Sequence, residues 1–351
     1  MKKKKKSLLY KIVITILFLV LIVGGIASYK IYGLMFQPNV NLGDKQTAYI
    51  CIPTGANFED VLNILNKNNF LKNKNTFKWL AEKKNYPDKV KPGKYQLTAN
   101  MNNNELINLL RSGKQKPVKL VFNNIRTKEQ LAGRISDQIE ADSISIINLL
   151  NNSPYLEKYN LTIQNVMVIF IPNTYELYWN TTAEKFFEKM NHEYIKFWDE
   201  ERKDKAASIG LTAVEISILA SIVQSETTKK DEMSRIAGVY INRLHKGMLL
   251  QADPTVVYAW NDFNIKRLLT KHLEIDSPFN TYKYSGLPPG PITIPDATTI
   301  DKVLNYEKHD YIFFCAKEDL SGHHAFAKTL AEHSANARRY QNALDRLNIR
   351  K

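Results

Sequence analysis

The sequence is poor in the residues that build disulfide frameworks and metal sites. Cys51 and Cys315 are the two cysteines in 351 residues, and each lies in an apolar, strand-like run. Nothing in the sequence places them near each other. An oxidising exterior would allow them to pair, but buried free thiols are the expected state. His323 and His324 have no carboxylate or further histidine at coordinating spacing, so no metal and no cofactor are expected.

The features of nucleic-acid-binding proteins are also missing, because there is no zinc finger, RNP-like aromatic run or concentrated Arg/Lys stripe. The formal net charge is +14, but residues 1–33 carry seven lysines and no acid, which leaves +7 for the remainder. That modest excess suits an anionic wall polymer or a phospholipid surface, without identifying a partner. No nucleic-acid partner is expected.

One long apolar run, at residues 12–32, follows a block of five lysines. About 20 residues span the hydrocarbon core, so the run predicts an uncleaved transmembrane helix after a cytoplasmic basic tail, residues 1–11. The alternative is a cleaved signal peptide, but the run is too long and Ala27-Ser28-Tyr29-Lys30 fits a cleavage site poorly. The expected location is the cell (inner) membrane, single-pass, with the rest of the chain extracytoplasmic.

Beyond this helix the patterns predict an α+β protein. Residues 45–114 show the order strand, helix, helix, strand, which is that of a LysM-like module, a unit known for binding N-acetylglucosamine polymers. Residues 115–208 predict a second small α/β lobe, with a helix at 127–140 and a long linking helix from Thr182 to about Ala207. The first of these helices opens on a capping box, Thr127-x-x-Gln130.

A catalytic domain is predicted at residues 209–345. Gly210 fits the position after a helix end, and Thr212-x-x-Glu215 fits a capping box at the next helix start. From Ala213 that helix is apolar nearly all round, which indicates burial. It ends at Glu226, where partial desolvation would raise the carboxyl pKa and suit a general acid. Taken alone, the position favours a solvated carboxylate at a helix end over a catalytic one.

Further polar residues follow Glu226. A second helix, from about Asp231 to Lys246, carries Tyr240 in its apolar stripe. Asp253 is the one nearby second carboxylate, and its position before Pro254 favours turn initiation. A rigid Pro/Gly-rich loop is expected to form one wall of a cleft. The candidate substrate-binding residues are Asn242, Gln251, Asp253, Thr281, Tyr282, Pro288 and His324, and a structural hydrogen bond is an open alternative for the polar ones.

Four segments carry a family resemblance: ILASIVQSET, GVYINRLHKGMLLQADPTVVYA, FNTYKYSGLPPGPI and YIFFCAKEDLSGHHAFAKTLAEHSAN. Together they resemble the MltG-type (YceG-like) endolytic murein transglycosylases over essentially the whole chain. The catalytic glutamate of that family falls on Glu226. The sequence departs from the family at Gln224, where a second glutamate is usual, and at Phe279, which replaces a tyrosine.

The resemblance implies cleavage of MurNAc–GlcNAc bonds in new glycan strands without consuming water, leaving 1,6-anhydroMurNAc ends and stopping elongation. Peptidoglycan is then the substrate, and peptidoglycan synthases are candidate partners. One acid without a convincing second fits this lytic route, because hydrolytic glycosidases ordinarily use two carboxylates. Two alternatives stay open: a hydrolytic muramidase using Glu226 and Asp253, and a non-catalytic LysM-type wall binder or division scaffold.

Overall fold

Helices and strands alternate irregularly along the chain, as the α+β class predicts. The computed structural model describes residues 2–265 and 267–347. They form two compact units, one of Met1–Val118 with Glu176–Thr181 and one of Lys119–Tyr175 with Thr182–Lys351. Cys51 belongs to the first unit and Cys315 to the second, and both are thiols.

The first unit begins with α1 (Lys2–Phe36), whose segment Tyr10–Phe36 is long and apolar enough to cross a membrane. Large apolar side chains such as Phe18 and Leu21 are exposed along it. In water such a helix would leave a wide apolar surface uncovered, whereas lipid chains would cover it. This helix is consistent with the predicted membrane anchor.

The rest of the first unit is a small α/β lobe built on one antiparallel strand pair. Its elements are β1 (Thr47–Ile52), α2 (Phe58–Lys67), α3 (Lys74–Lys83), β2 (Gly93–Thr98) and α4 (Asn103–Ser112). The two strands pair from Thr47 with Thr98 to Ile52 with Gly93. Alternate residues of β2 are buried, which places Tyr95 and Leu97 in the core. The element order is the predicted one, and the LysM-like identity stays a prediction.

The remaining elements are mostly helical. They are β3 (Val118–Val121), α5 (Lys128–Ser136), α6 (Ser143–Leu150), α7 (Ser153–Glu157), β4 (Thr174–Leu177), α8 (Ala183–Phe197), α9 (Glu200–Ile209), α10 (Ala213–Glu226), α11 (Met233–His245), α12 (Asp253–Trp260), α13 (Thr270–Leu273), α14 (Ala297–Leu304), β5 (Phe313–Ala316), β6 (His324–Ala327) and α15 (Leu330–Arg346). Strand β5 pairs with β6 in antiparallel fashion.

The prediction of one helix from Thr182 to Ala207 is wrong, because the chain breaks between α8 and α9. Trp198 leaves the helical conformation and is buried in the core that surrounds α10. Asp199 then caps α9 by accepting a hydrogen bond from the backbone N–H of Arg202. Burial of one indole at this point thus outweighs the continuous amphipathic pattern. Gly210 ends α9 in the left-handed conformation, as predicted.

The helix predicted at 127–140 also differs, since α5 ends at Ser136. Thr127 accepts from the backbone N–H of Gln130, as a capping box requires, but Gln130 Oε1 accepts from the backbone N–H of Arg126 instead of that of Thr127. One of the two hydrogen bonds of the predicted capping box is therefore formed. The second, from the Gln130 side chain, goes to the residue before the cap. This bond fixes the backbone of Arg126 beside the start of α5.

Helix α10 is the centre of the main core of the second unit, and residues 216–223 are all buried. Its predicted burial is confirmed. The predicted capping box at its start, between Thr212 and Glu215, is formed. Near its end Gln224 joins the helix to the segment after the Pro/Gly-rich loop, because its amide donates to Ile294 O and accepts from Asp296 N and Thr299 Oγ1. The site residues therefore stand on a rigid element.

Candidate active site

Glu226 is the last residue of α10. Ile222 and Val223, one turn earlier on the same helix, are fully buried. Burial raises the pKa of its carboxyl group to about 7, and the negative charge of Asp253 acts in the same direction. The C-terminal end of a helix also disfavours a negative charge. Glu226 is therefore substantially protonated near neutral pH, as the sequence predicts, and it can give up a proton and take one back.

Tyr240, on α11, is the immediate partner of this carboxyl group. Its hydroxyl donates a hydrogen bond of 2.7 Å to Oε1 of Glu226. Burial raises the pKa of Tyr240 well above its ordinary value, so the phenol keeps its proton and acts as a donor. The hydrogen bond opposes the effect of burial and lowers the pKa of Glu226. One carboxyl oxygen is thus held in place.

A cavity of about 920 Å³ opens at Glu226, which we call the Glu226 cavity. Its volume is in the range of ligand-binding pockets. Charged groups of both signs and apolar side chains line it together. They are Arg126, Ser225, Glu226, Asp253, Pro254, Val257, Tyr258, Phe263, Ile265, Arg267, Leu268, Ile292, Tyr340, Gln341, Leu344 and Asp345.

Asp253 is the one candidate substrate-binding residue that lines this cavity with Glu226. The prediction that it initiates a turn is wrong, since Asp253 is the first residue of α12 and Pro254 occupies the first turn of that helix. Its carboxylate accepts a hydrogen bond from the Tyr282 hydroxyl. Burial and this bond raise the pKa of Tyr282, so the phenol remains the donor.

The side chains of two other candidates, Asn242 and Thr281, also bond to protein groups. Asn242 Nδ2 donates to the backbone oxygens of His309 and Tyr311, at 2.7 and 3.0 Å. Thr281 is buried, where its hydroxyl accepts from Ala252 N at 3.0 Å. These contacts join α11 and α12 to neighbouring loops. Sugar binding by Asn242 and Thr281 stays a prediction.

His324, on β6, lies 3.1 Å through Nδ1 from Oε2 of the buried residue Glu232. Its backbone N–H donates to the other oxygen of Glu232 at 2.8 Å. This pairing joins the β5–β6 hairpin to the start of α11. Within residues 2–265 and 267–347, no group of three or more His, Cys, Asp or Glu side chains is arranged to hold a metal ion.

The last two candidates lie in loops. Gln251 is exposed, has a positive φ of 50°, and donates from its backbone N–H to Thr281 O at 3.0 Å. Pro288 is buried within the Pro/Gly-rich loop, where residues 274–296 contain no regular helix or strand. The expected irregular loop is therefore present. Contact of either residue with sugar stays a prediction.

Sequence reasoning missed the groups that the tertiary structure brings to Glu226. Tyr240 was assigned to an apolar stripe, which is correct for its ring, but a buried phenol also needs a polar partner. That need is the one signal that could have identified it. Arg126 comes from the preceding lobe and lies over the Phe263 ring, 4.8 Å from its centroid. No local pattern pairs these two residues.

Comparison with known proteins agrees with the sequence resemblance. Residues 50–339 match the model of the YceG-like family. The chain is 30% identical over 339 residues to the endolytic murein transglycosylase of Bacillus subtilis (strain 168), covering 91% of each. It is 27% identical to the endolytic murein transglycosylase of Streptococcus pneumoniae (strain D39), covering 91% of this chain and 63% of that protein.

A crystal structure of a YceG-like protein from Listeria monocytogenes is also similar. It superposes with a TM-score of 0.55 at 28% identity, covering 83% of this chain and 99% of that one. The two proteins therefore share a fold as well as sequence. The family match covers most of the chain, and the predicted resemblance is confirmed: the chain belongs to the YceG-like family.

Proposed function

We propose that this protein is a membrane-anchored endolytic murein transglycosylase, a lyase that cuts MurNAc–GlcNAc bonds within peptidoglycan strands. The names of the relatives in Bacillus subtilis and Streptococcus pneumoniae support the reaction. The observation that carries the proposal is the carboxyl group of Glu226, whose pKa burial raises to about 7 in the wall of a large cavity. An acid with that pKa can donate a proton and then accept one at neutral pH.

In the proposed reaction, protonated Glu226 first gives its proton to the glycosidic oxygen that joins MurNAc C1 to GlcNAc. The C1–O bond breaks, and the released GlcNAc hydroxyl carries this proton. The carboxylate then takes the proton of the muramyl C6 hydroxyl as that oxygen bonds to C1. The product is a 1,6-anhydro ring, no water is consumed, and Glu226 is protonated again for the next cycle. The Tyr240 hydroxyl, which donates to Oε1, orients this carboxyl group.

A second candidate function is a hydrolytic muramidase, and one specific observation favours it. Asp253 lines the same cavity as Glu226, and its charge contributes to raising the pKa of Glu226. Hydrolytic glycosidases ordinarily use two carboxyl groups that flank the glycosidic bond. The two reactions leave different ends: the muramidase forms reducing MurNAc, and the transglycosylase forms 1,6-anhydroMurNAc.

The other parts of the chain fit an enzyme that works close to the membrane. The segment Tyr10–Phe36 would anchor it, and the lysines before it would stay cytoplasmic, leaving the rest of the chain outside. The lobe formed by β1, β2 and α2–α4 would bind glycan as a LysM-like module. Cutting strands as they emerge would end their elongation, and peptidoglycan synthases would then be partners of this protein.

The test is digestion of purified peptidoglycan by the full-length protein in detergent, with mass analysis of the soluble fragments. The parent protein should release fragments ending in 1,6-anhydroMurNAc, and Glu226→Gln should release none. Glu184→Gln, an exposed position on α8, is the matched control and should cleave normally. Cleavage by Glu226→Gln at the parent rate would refute the assignment. Binding without release by the parent would support a scaffold instead.

A further inference from the structure

A second cavity, of about 590 Å³, adjoins the Glu226 cavity, and we call it the side cavity. Arg126, Ser225 and Phe263 line both cavities, so the two are neighbours. The side cavity begins at the residues on either side of Glu226, because Ser225 and Thr227 contribute to its wall. A substrate group that enters it would therefore be attached close to the bond that Glu226 cleaves.

The lining of the side cavity is polar and carries excess positive charge. Arg126 and Lys230 are its cations, and Asp296 is its carboxylate. Over the described ranges, neither cation forms an ion pair. The Arg126 guanidinium instead lies over the Phe263 ring, which orients it without neutralising it. Both cations are therefore available to an anionic group.

Several polar groups of the side cavity are already bonded, and this makes its walls rigid. Thr293 Oγ1 and Ile294 N both donate to Ile125 O, at 3.0 and 2.8 Å. Gln224 binds the residues that come next in the chain, from Ile294 to Thr299, through the three hydrogen bonds described above. The segment that carries Arg126 is thus fixed to the segment that follows the Pro/Gly-rich loop. Preformed walls of this kind reduce the ordering cost of binding.

Three donor groups of the lining are left for a ligand, beside the Asp296 carboxylate, which is an acceptor. They are the guanidinium of Arg126, the ammonium of Lys230 and the amide N–H₂ of Gln130, whose Oε1 is occupied by Arg126 N. Donors with net positive charge bind carboxylate and carbonyl oxygens. A neutral sugar ring offers mainly hydroxyl groups and would make little use of the two charges. The side cavity is therefore better suited to an acidic, carbonyl-rich chain.

Peptidoglycan has such a chain next to the cleaved bond. Each muramyl ring carries a lactyl ether, and an acidic peptide is attached to it by an amide. Resting on the proposed function, we infer that the side cavity binds the lactyl-peptide stem of the muramyl residue whose C1 bond is cleaved. Arg126 and Lys230 bind its carboxylate and carbonyl oxygens. The protein then prefers strands with peptides to bare glycan.

The experiment compares two substrates: glycan strands with intact peptides, and the same strands after an amidase has removed the peptides. The parent should cleave the intact strands with a kcat/KM about tenfold higher than that for the bare strands. A factor of about ten corresponds to the free energy of one charge-assisted hydrogen bond. Lys230→Gln lies in the side cavity but not in the Glu226 cavity. It should reduce the ratio of the two kcat/KM values to about 2.

Lys308→Gln is the matched control, since Lys308 is exposed and lines neither cavity, and it should keep the parent ratio. Equal cleavage of both substrates by the parent, or an unchanged ratio in Lys230→Gln, would overturn the inference and leave the transglycosylase function intact. Failure of the parent to cut either substrate would instead refute the function, and the inference with it. A binding assay with the inactive Glu226→Gln protein and a soluble N-acetylmuramyl peptide separates affinity from turnover. Adding Lys230→Gln to that protein should weaken binding about tenfold.

Discussion

The hydroxyl of Tyr240 donates a 2.7 Å hydrogen bond to Oε1 of Glu226, so the proposed acid is held by a side chain on the next helix. The phenol favours the ionised form of Glu226, while burial favours the neutral form. The resulting pKa of about 7 is a balance between the two effects. Changing either partner should therefore move the pH dependence of the reaction.

Tyr240→Phe removes the donor and keeps the buried ring. The pKa of Glu226 should rise above its value of about 7, because the hydrogen bond lowers it. Activity requires the protonated acid, so the alkaline limb of the kcat/KM–pH profile should move to higher pH. The maximal kcat/KM should fall about tenfold through lost positioning. Tyr284→Phe is the control, because Tyr284 donates to the surface residue Asp276, and an unmoved limb in Tyr240→Phe would refute the role.

Glu226 should also make the stability of the protein pH-dependent. The pKa of Glu226 is about 7 in the folded protein and 4.5 in its ordinary state. Between these pH values the folded state holds a proton that the unfolded state has lost. The free energy of unfolding therefore falls as pH rises from 4.5 through about 7. Glu226→Gln should therefore raise Tm at pH 8 by about 2–4 °C, from roughly 1–2 kcal/mol after discounting for partial exposure. Below pH 4.5 the gain should vanish, and a gain equal at both pH values would contradict the assignment.

Asp253→Asn separates the two catalytic schemes. In the lytic route the change weakens the contact with Tyr282 and removes a charge that raises the pKa of Glu226. Activity should then fall by about tenfold or less, and the products should keep their 1,6-anhydro ends. A muramidase would lose about a thousandfold or more, because its second carboxylate is gone. Product mass analysis with initial rates decides between them.

Gln224→Ala should destabilise the second unit without removing the acid. Three hydrogen bonds, to Ile294 O, Asp296 N and Thr299 Oγ1, would be lost. The expected cost is about 2–3 kcal/mol, measured as a lower midpoint in urea unfolding. Gln138→Ala, which affects bonds in exposed surroundings, should cost less. Equal midpoints for the two variants would show that Gln224 does not secure the loop.

Gly290→Ala tests the close approach of the Pro/Gly-rich loop to the preceding lobe. A Cβ at Gly290 would come within 1.9 Å of the backbone oxygen of Gln164, and a backbone cannot rotate away as a side chain can. The substitution should cost about 1–3 kcal/mol or more and reduce soluble yield. Gly133→Ala is the control, because a Cβ at Gly133 would meet open space. Gly247 also has open space, but its positive φ would add strain of its own.

Much of the fold follows from local sequence. The pattern of residues 45–114 predicts the order strand, helix, helix, strand, Gly210 predicts the end of α9, and Thr212 with Glu215 predicts the start of α10. These features depend on neighbours within about four positions, which the sequence displays directly. The break at Trp198 was missed, because the burial that causes it involves residues far along the chain.

By itself, the sequence determined the family, the apolar N-terminal helix and the position of Glu226 at the end of a buried helix. Those properties are carried by motif order, residue type and periodicity. Only the tertiary structure decided that Tyr240 holds Glu226, that Asp253 shares its cavity, and that Arg126 and Phe263 meet beside it. A hydrogen-bond partner is chosen by how helices and loops pack, and that packing depends on contacts between residues distant in sequence.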